Sequence, residues 1–135
     1  MRLYLQVFFL PVLGITGVSQ TPVAQYNFNG NVNDGSAFAN NANANAVSLG
    51  ADRFGWANRA AIFDGTQSSV TASNAAQLNS PEATISFWVK MGALPAQGEV
   101  FLLSNGGWQE RFKISVPNHG KPVFTTNHAN GISDM

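Results

Sequence analysis

The stretch from Asp52 to Gly65 constrains this chain more than any other: Asp52-Arg53-Phe54-Gly55-Trp56-Ala57-Asn58-Arg59-Ala60-Ala61-Ile62-Phe63-Asp64-Gly65. Gly55 can take the positive φ that a sharp reversal needs, so the first half reads as a tight turn. Ala60 to Phe63 then reads as a short apolar strand, and Asp64-Gly65 as the two-residue signal of a hairpin. Ser69-Val70-Thr71-Ala72 resumes the extended pattern on the far side. A strand, a two-residue turn and another strand within so few residues point to antiparallel β structure.

The rest of the chain repeats that theme. In Val23 to Phe28, Ala24, Tyr26 and Phe28 fall on one face of a predicted strand, with Asn29-Gly30 as its turn. Ala46 to Leu49 is a short strand leading into the Asp52 turn. Ala83 to Lys90 alternates with period two, placing Ile85, Phe87 and Val89 on one face and Ser86, Trp88 and Lys90 on the other. An aromatic on each face predicts that both are covered, as in an inner strand of a two-sheet sandwich, and assigns Trp88 to the core. Gly98 to Leu103, Arg111 to Val116 and Pro122 to Thr126 complete about seven short strands, the last two paired through the Pro117 to Gly120 turn. Asn40 to Asn45 is an Asn/Ala tract whose small apolar content predicts a surface loop, with a β-aggregating segment as the alternative. Ser73 to Asn79 permits a helical turn. The fold class expected is all-β, an antiparallel sandwich.

At the amino terminus, Met1-Arg2 precedes a mostly apolar run, Leu3 to Val18, and Gly17 and Ser19 supply the small residues of a cleavage site before Gln20. This is the outline of a secretory signal peptide, residues 1–19, with residues 20–135 as the domain. The run contains Pro11 and Gln6 and falls short of the roughly 20 clean apolar residues of a membrane anchor. The expectation is a secreted or bacterial cell-surface protein that meets a membrane only through its cleaved leader. The chain has no cysteine, so packing rather than disulfides must stabilise it. Seven basic and seven acidic residues balance to zero net charge, which leaves no basic stripe for nucleic acid. Charged residues make up only 10% of the chain, and that average leans towards neutral, polyhydroxylated ligands.

Three segments in order resemble the laminin-G-like domain of the concanavalin A-like lectin/glucanase superfamily: Tyr26 to Asn31, Asp52 to Gly65, and Thr84 to Lys90. The resemblance implies a jelly-roll sandwich that is incomplete here, because members usually run on through further strands. It implies a non-catalytic recognition or adhesion module for a glycan or an extracellular protein. An accessory domain of a larger secreted hydrolase and a ligand-free structural spacer are the alternatives. It also raises calcium, which related sandwiches often hold in their loops through oxygen ligands.

The residues that could carry chemistry are few. The acidic residues never stand at i and i+2 or i+4, the spacing that would aim two carboxylates from one strand into a cleft, and Glu99 and Glu110 read as surface charge. His119 and His128 lack a zinc-ligand spacing. Catalysis is therefore not expected. For calcium the candidates are Asn31, Asn33, Asp34 and Asp64, against the plain reading of Asp34-Gly35 and Asp64-Gly65 as turns. For a sugar, Trp56 and Trp108 sit beside glycines in turn-like segments and are the candidate platforms, against a packing role beneath a loop.

Overall fold

A computed structural model describes residues 2–4, 21–73, 78, 82–106, 112–128 and 131–135. Its described strands are β1 (Arg2–Tyr4), β2 (Ala42–Asn45), β3 (Ser48–Gly50), β4 (Ala60–Ile62), β5 (Ser69–Ala72), β6 (Trp88–Lys90), β7 (Glu99–Asn105), β8 (Phe112–Pro117), β9 (Val123–His128) and β10 (Gly131–Asp134). All the pairings are antiparallel. The fold is all-β, as the alternation predicts. The chain divides into two compact units, residues 1–90 and 91–135.

In the first unit, one sheet runs β3-β4-β1-β6 and a two-stranded ribbon pairs β2 with β5. The Asp64-Gly65 turn is therefore not a hairpin. It carries the chain from β4, which pairs with β3 and β1, to β5, which pairs with β2. Turn chemistry identifies the reversal, but the partners of the flanking strands are decided by which apolar faces can be buried. Arg2–Tyr4, within the stretch expected to be a leader, pair here between β4 and β6, and residues 5–20 lie outside the described residues.

The core of this unit gathers Tyr26, Phe28, Ala42, Ala61 and Phe63, with Val32, Val47, Leu49, Val70 and Ala72 packed against it. Ala60 and Ala61 are fully buried because a methyl side chain lets neighbouring backbone close over them. Ala42 explains why the Asn/Ala tract is a strand rather than the expected loop. Its methyl is buried in the core while Asn43, Ala44 and Asn45 are exposed, and Asn45 Nδ2 donates to the Gln67 carbonyl at 3.0 Å. Small residues suffice when the partner, β5, supplies Val70.

Val23 to Phe28 is not a strand; a single bridge, Tyr26 to Asp34, stands in its place. The reason is the Asp34 carboxylate, which turns this segment into a closed loop. Its Oδ1 accepts from the Gln25 and Ser36 N–H groups, both at 2.8 Å. Its Oδ2 accepts from Ser36 Oγ at 2.7 Å and from the Asn40 N–H at 2.9 Å. Burial alone would raise the pKa of Asp34, but the Ser36 hydroxyl and the three N–H groups outweigh it and hold the carboxyl below its ordinary value. Tyr26, above the same site, has its phenol pushed up by burial and then by the negative Asp34, and its hydroxyl donates to the Asn40 carbonyl at 2.7 Å.

The long predicted strand Ala83 to Lys90 shrinks to Trp88–Lys90, and its burial reverses expectation. Ile85, Ser86 and Phe87 are half-buried, whereas Trp88, Val89 and Lys90 are exposed. The helical turn expected within 73–79 falls largely outside the described residues.

The second unit is a four-stranded sheet, β10-β9-β8-β7, with a register shift between Phe101 and Leu103. Phe112 and Phe124 pack across β8 and β9 with ring centroids 5.7 Å apart. Lys113 donates to Glu99 and lies 4.8 Å from the centroid of Phe101. Glu99 is thus paired rather than a free surface charge, and Glu110 lies outside the described residues. The Lys113 hydrogen bond is the first cause holding the Glu99 carboxyl below its ordinary value, against burial and the negative Asp134.

Two outcomes follow from these carboxylates. Asp34→Ala leaves buried N–H groups without an acceptor and should lower unfolding free energy by about 2–4 kcal/mol in urea titrations at neutral pH. A loss under about 0.5 kcal/mol would show that Asp34 does not organise the loop. Because Asp34 and Glu99 bind protons less readily when folded, their stabilisation is complete above the unfolded carboxyl range. It disappears as pH falls below about 4, so the acid slope of stability should be shallower in Asp34→Ala.

Candidate functional site

The loop between Gly50 and Ala60 is built before it is decorated. The strands on either side meet at the pair Gly50 with Ala60, and the Arg59 N–H donates to the Gly50 carbonyl at 2.9 Å, so the loop starts from a closed neck. Within it, Asp52 Oδ1 accepts from the Phe54 N–H at 2.8 Å and from the Trp56 N–H at 2.9 Å. The Asp52 N–H donates to the Trp56 carbonyl at 3.0 Å, and the Gly55 N–H to the Asp52 carbonyl at 3.1 Å. Gly55 at φ +87° and Asn58 at φ +57° make the two left-handed steps. Glycine has no Cβ to clash there, and asparagine tolerates the region better than most residues.

This rigid turn lifts its side chains into solvent. Phe54 is 64% exposed and Trp56 58%, with ring centroids 6.0 Å apart and planes tilted by 45°. Arg53 lies over two rings at once, its guanidinium carbon 4.5 Å from the Phe54 centroid and 4.2 Å from that of Trp88. Arg59 sits 4.6 Å from the Trp56 centroid. The result is one continuous surface in the first unit: Trp88, Arg53, Phe54, Trp56 and Arg59. Each guanidinium–ring contact at an exposed site contributes about 0.5–1 kcal/mol, which favours this arrangement. Among the described residues no carboxylate pairs with Arg53 or Arg59. The acidic member of the loop, Asp52, has Oδ1 turned to backbone N–H groups.

Trp56 is exposed at the tip of this turn, and Trp108 lies outside the described residues. Trp88 is not core, as alternation predicts, but 49% exposed, with Arg53 covering part of its ring. Arg53, Phe54, Arg59 and Trp88 were not singled out by sequence reasoning. The available signal was two arginines six residues apart flanking Phe-Gly-Trp, a spacing that lets each cation fold back onto a ring.

The calcium candidates are arranged differently from a cation site. Both Asp34 oxygens accept two hydrogen bonds each, which uses the lone pairs a metal would need. Asp64 Oδ1 accepts from the Thr66, Gln67 and Ser68 N–H groups and from Ser68 Oγ. The Thr66 N–H is the first cause holding this exposed carboxyl far below its ordinary range. Asn31 Oδ1 accepts from the Asn33 N–H at 2.9 Å, and Asn33 is exposed. Among the described residues no cluster of three or more His, Cys, Asp or Glu side chains forms a metal-binding group. Asp34 does not fit a calcium ion, and the other three act as turn caps or surface groups. The expected outcome is a melting temperature that agrees within about 1 °C in millimolar calcium and in chelator. An ion bound at 100 times its Kd would add about 2.7 kcal/mol and raise it by several degrees, contradicting this assignment.

The architecture and the matched sequence agree on kinship. A laminin-G-type family model, described as concanavalin A-like lectin/glucanases superfamily, matches residues 64–134. That is more than half of the chain; it includes Trp88, and the loop from Arg53 to Arg59 precedes it. No curated protein and no solved structure matches the chain. With an all-β antiparallel fold and a family match over that length, the chain belongs to the concanavalin A-like lectin/glucanases superfamily as a laminin-G-like member.

Proposed function

We propose that this protein is a non-catalytic recognition module, secreted or displayed at a cell surface, that holds a carbohydrate against the surface formed by Arg53, Phe54, Trp56, Arg59 and Trp88. The exposed Trp56 and Trp88 rings, each with an arginine over it, carry the reading. An indole face is electron-rich and flat, and the C–H face of a pyranose offers it a complementary positive edge. Guanidinium donors beside the rings supply the directional hydrogen bonds that orient hydroxyl groups. Ordering by stacking lowers the entropy lost when a ligand arrives.

The non-catalytic half of the reading is supported by what the acids do. Asp34, Asp52 and Asp64 cap backbone N–H groups, Glu99 pairs with Lys113, and Asp134 accepts from Thr125 Oγ1. A glycosidase needs two carboxyl groups facing one bond across a gap of about 5–10 Å. These carboxylates instead hold loops and strand pairs together. The leader-like amino terminus supports export.

Carbohydrate arrays probed with the full chain and with Trp56→Ala/Trp88→Ala test the reading. Wild type should retain at least one glycan class, and the double variant should lose at least about tenfold in affinity while keeping its melting temperature within a few degrees. Equal retention by the two proteins would remove the platform from the function.

A further inference from the structure

The first sheet runs β3-β4-β1-β6, so β6 joins it through β1 alone. In register, Arg2 stands between Ile62 and Lys90, Leu3 between Ala61 and Val89, and Tyr4 opposite Trp88. β1 is antiparallel to both neighbours, so β4 and β6 run parallel to each other with one strand between them. An interior strand uses its N–H and C=O groups on both sides, and taking it away leaves two unpaired strand edges about 9–10 Å apart. β6 carries Trp88, so the occupant of this place also seats one of the two exposed indoles.

That occupant is the segment the sequence marks for removal, since Arg2–Tyr4 fall within the leader-like residues 1–19. Direct closure of β6 onto β4 is a poor substitute. It replaces two antiparallel ladders with one parallel ladder of three-residue strands, whose slanted bonds are weaker per residue. β4 keeps β3 on its other side, whereas β6 keeps no ladder among the described residues. The leader is also a mismatched occupant. Arg2 is set directly opposite Lys90, and like charges in facing cross-strand positions destabilise a sheet. The middle position is better matched, with the aliphatic Leu3 in register with Val89 and with Ala61, which is fully buried.

Resting on the exported reading above, in which residues 1–19 are removed, we infer that the gap between β4 and β6 is an acceptor for an extended strand of a partner polypeptide. The strand runs antiparallel to both neighbours, with an acidic residue in the place of Arg2, opposite Lys90, and an aliphatic one in the place of Leu3. Backbone hydrogen bonds on two sides supply the attraction, and the two side-chain positions supply selectivity. Entry of the strand rebuilds the ladder of β6 and holds Trp88 beside Arg53, so polypeptide capture and the aromatic surface are coupled. A glycan has no peptide backbone with which to complete either ladder.

The full chain carrying Leu3→Pro tests this without truncation, because proline at an interior strand position removes a ladder N–H and empties the gap. Labelled peptides serve as probes in fluorescence anisotropy: a copy of residues 1–6, the copy with Arg2→Glu, and the copy with both Arg2→Glu and Leu3→Asp. The Leu3→Pro chain should bind the Arg2→Glu peptide saturably and at least about threefold tighter than the plain copy. The doubly changed peptide should bind at least about tenfold more weakly, and so should every probe to the wild-type chain, whose gap β1 fills. The Trp88 indole N–H signal of the Leu3→Pro chain should return towards its wild-type position as the peptide binds. Equal binding of all the peptides, or binding of none by a Leu3→Pro chain that keeps its fold, would overturn the acceptor. If Leu3→Pro does not fold, Arg2→Glu in the full chain decides: its melting temperature should rise by about 1–5 °C, and an unchanged or lower value would overturn the register on which the proposal stands. The intact mass of the chain exported from a bacterial host keeps the two readings apart. Retained residues 1–19 would overturn the cleaved leader and leave the gap filled, whereas cleavage without peptide capture overturns the acceptor alone.

Discussion

Capture of backbone N–H groups by aspartate carboxylates is the interaction on which this structure depends. Short strands contribute few ladder hydrogen bonds, so the segments between them need another source of order. Asp34 closes the loop from Gln25 to Asn40, Asp52 closes the turn from Asp52 to Trp56, and Asp64 closes the passage from the sheet to the ribbon. In each case a charged acceptor replaces the neutral carbonyl of a strand partner, and charge-assisted bonds of this kind are about twice as strong as neutral ones. The polar loops are therefore fixed from inside their own sequence rather than by packing against a large core.

That constraint settles where charge can act. With three of the seven acidic residues turned towards backbone, the positive residues of the Arg53 to Arg59 loop are left to pair with aromatic rings. Stacking on Phe54, Trp56 and Trp88 keeps large apolar faces in solvent without letting them collapse on each other. That contiguous exposed aromatic patch is the feature on which the proposed carbohydrate surface rests. The neutral balance of the whole chain and the local excess of cations are compatible because the acids are withdrawn one by one into turns.

The sequence carried much of the architecture. Short apolar or alternating runs bounded by turn residues located β4, β5, β7, β8 and β9 to within a few residues, because these strands pair with immediate neighbours or place an apolar face inward. The β8–β9 hairpin was legible in Pro117 to Gly120, a turn whose type fixes its own partners. What alternation could not show was which strand would receive each face. Asp64-Gly65 was readable as a turn but not as a crossover, because β5 pairs with a strand more than twenty residues earlier. Ala42 to Asn45 looked too poor in apolar residues to be a strand until Val70 and Ala72 on its partner supplied the core. Trp88 illustrates the same limit at the site: its position in an alternating strand predicts burial, whereas a distant arginine covers its ring in solvent. Trp56 was legible because Gly55 beside it announces a turn, and turns face water.

The central claim is that the Asp52 turn presents Trp56 and Trp88 together as one ligand surface. Indole N–H signals in a ¹H–¹⁵N correlation spectrum test it most directly, since the chain has three tryptophans and single Trp→Phe variants assign them. On titration with an oligosaccharide retained on the carbohydrate arrays, the Trp56 and Trp88 signals should move together along one saturation curve, and Asp52→Ala should weaken the binding without abolishing it. Saturable binding that leaves both signals in place would contradict the account and move recognition to another part of the molecule.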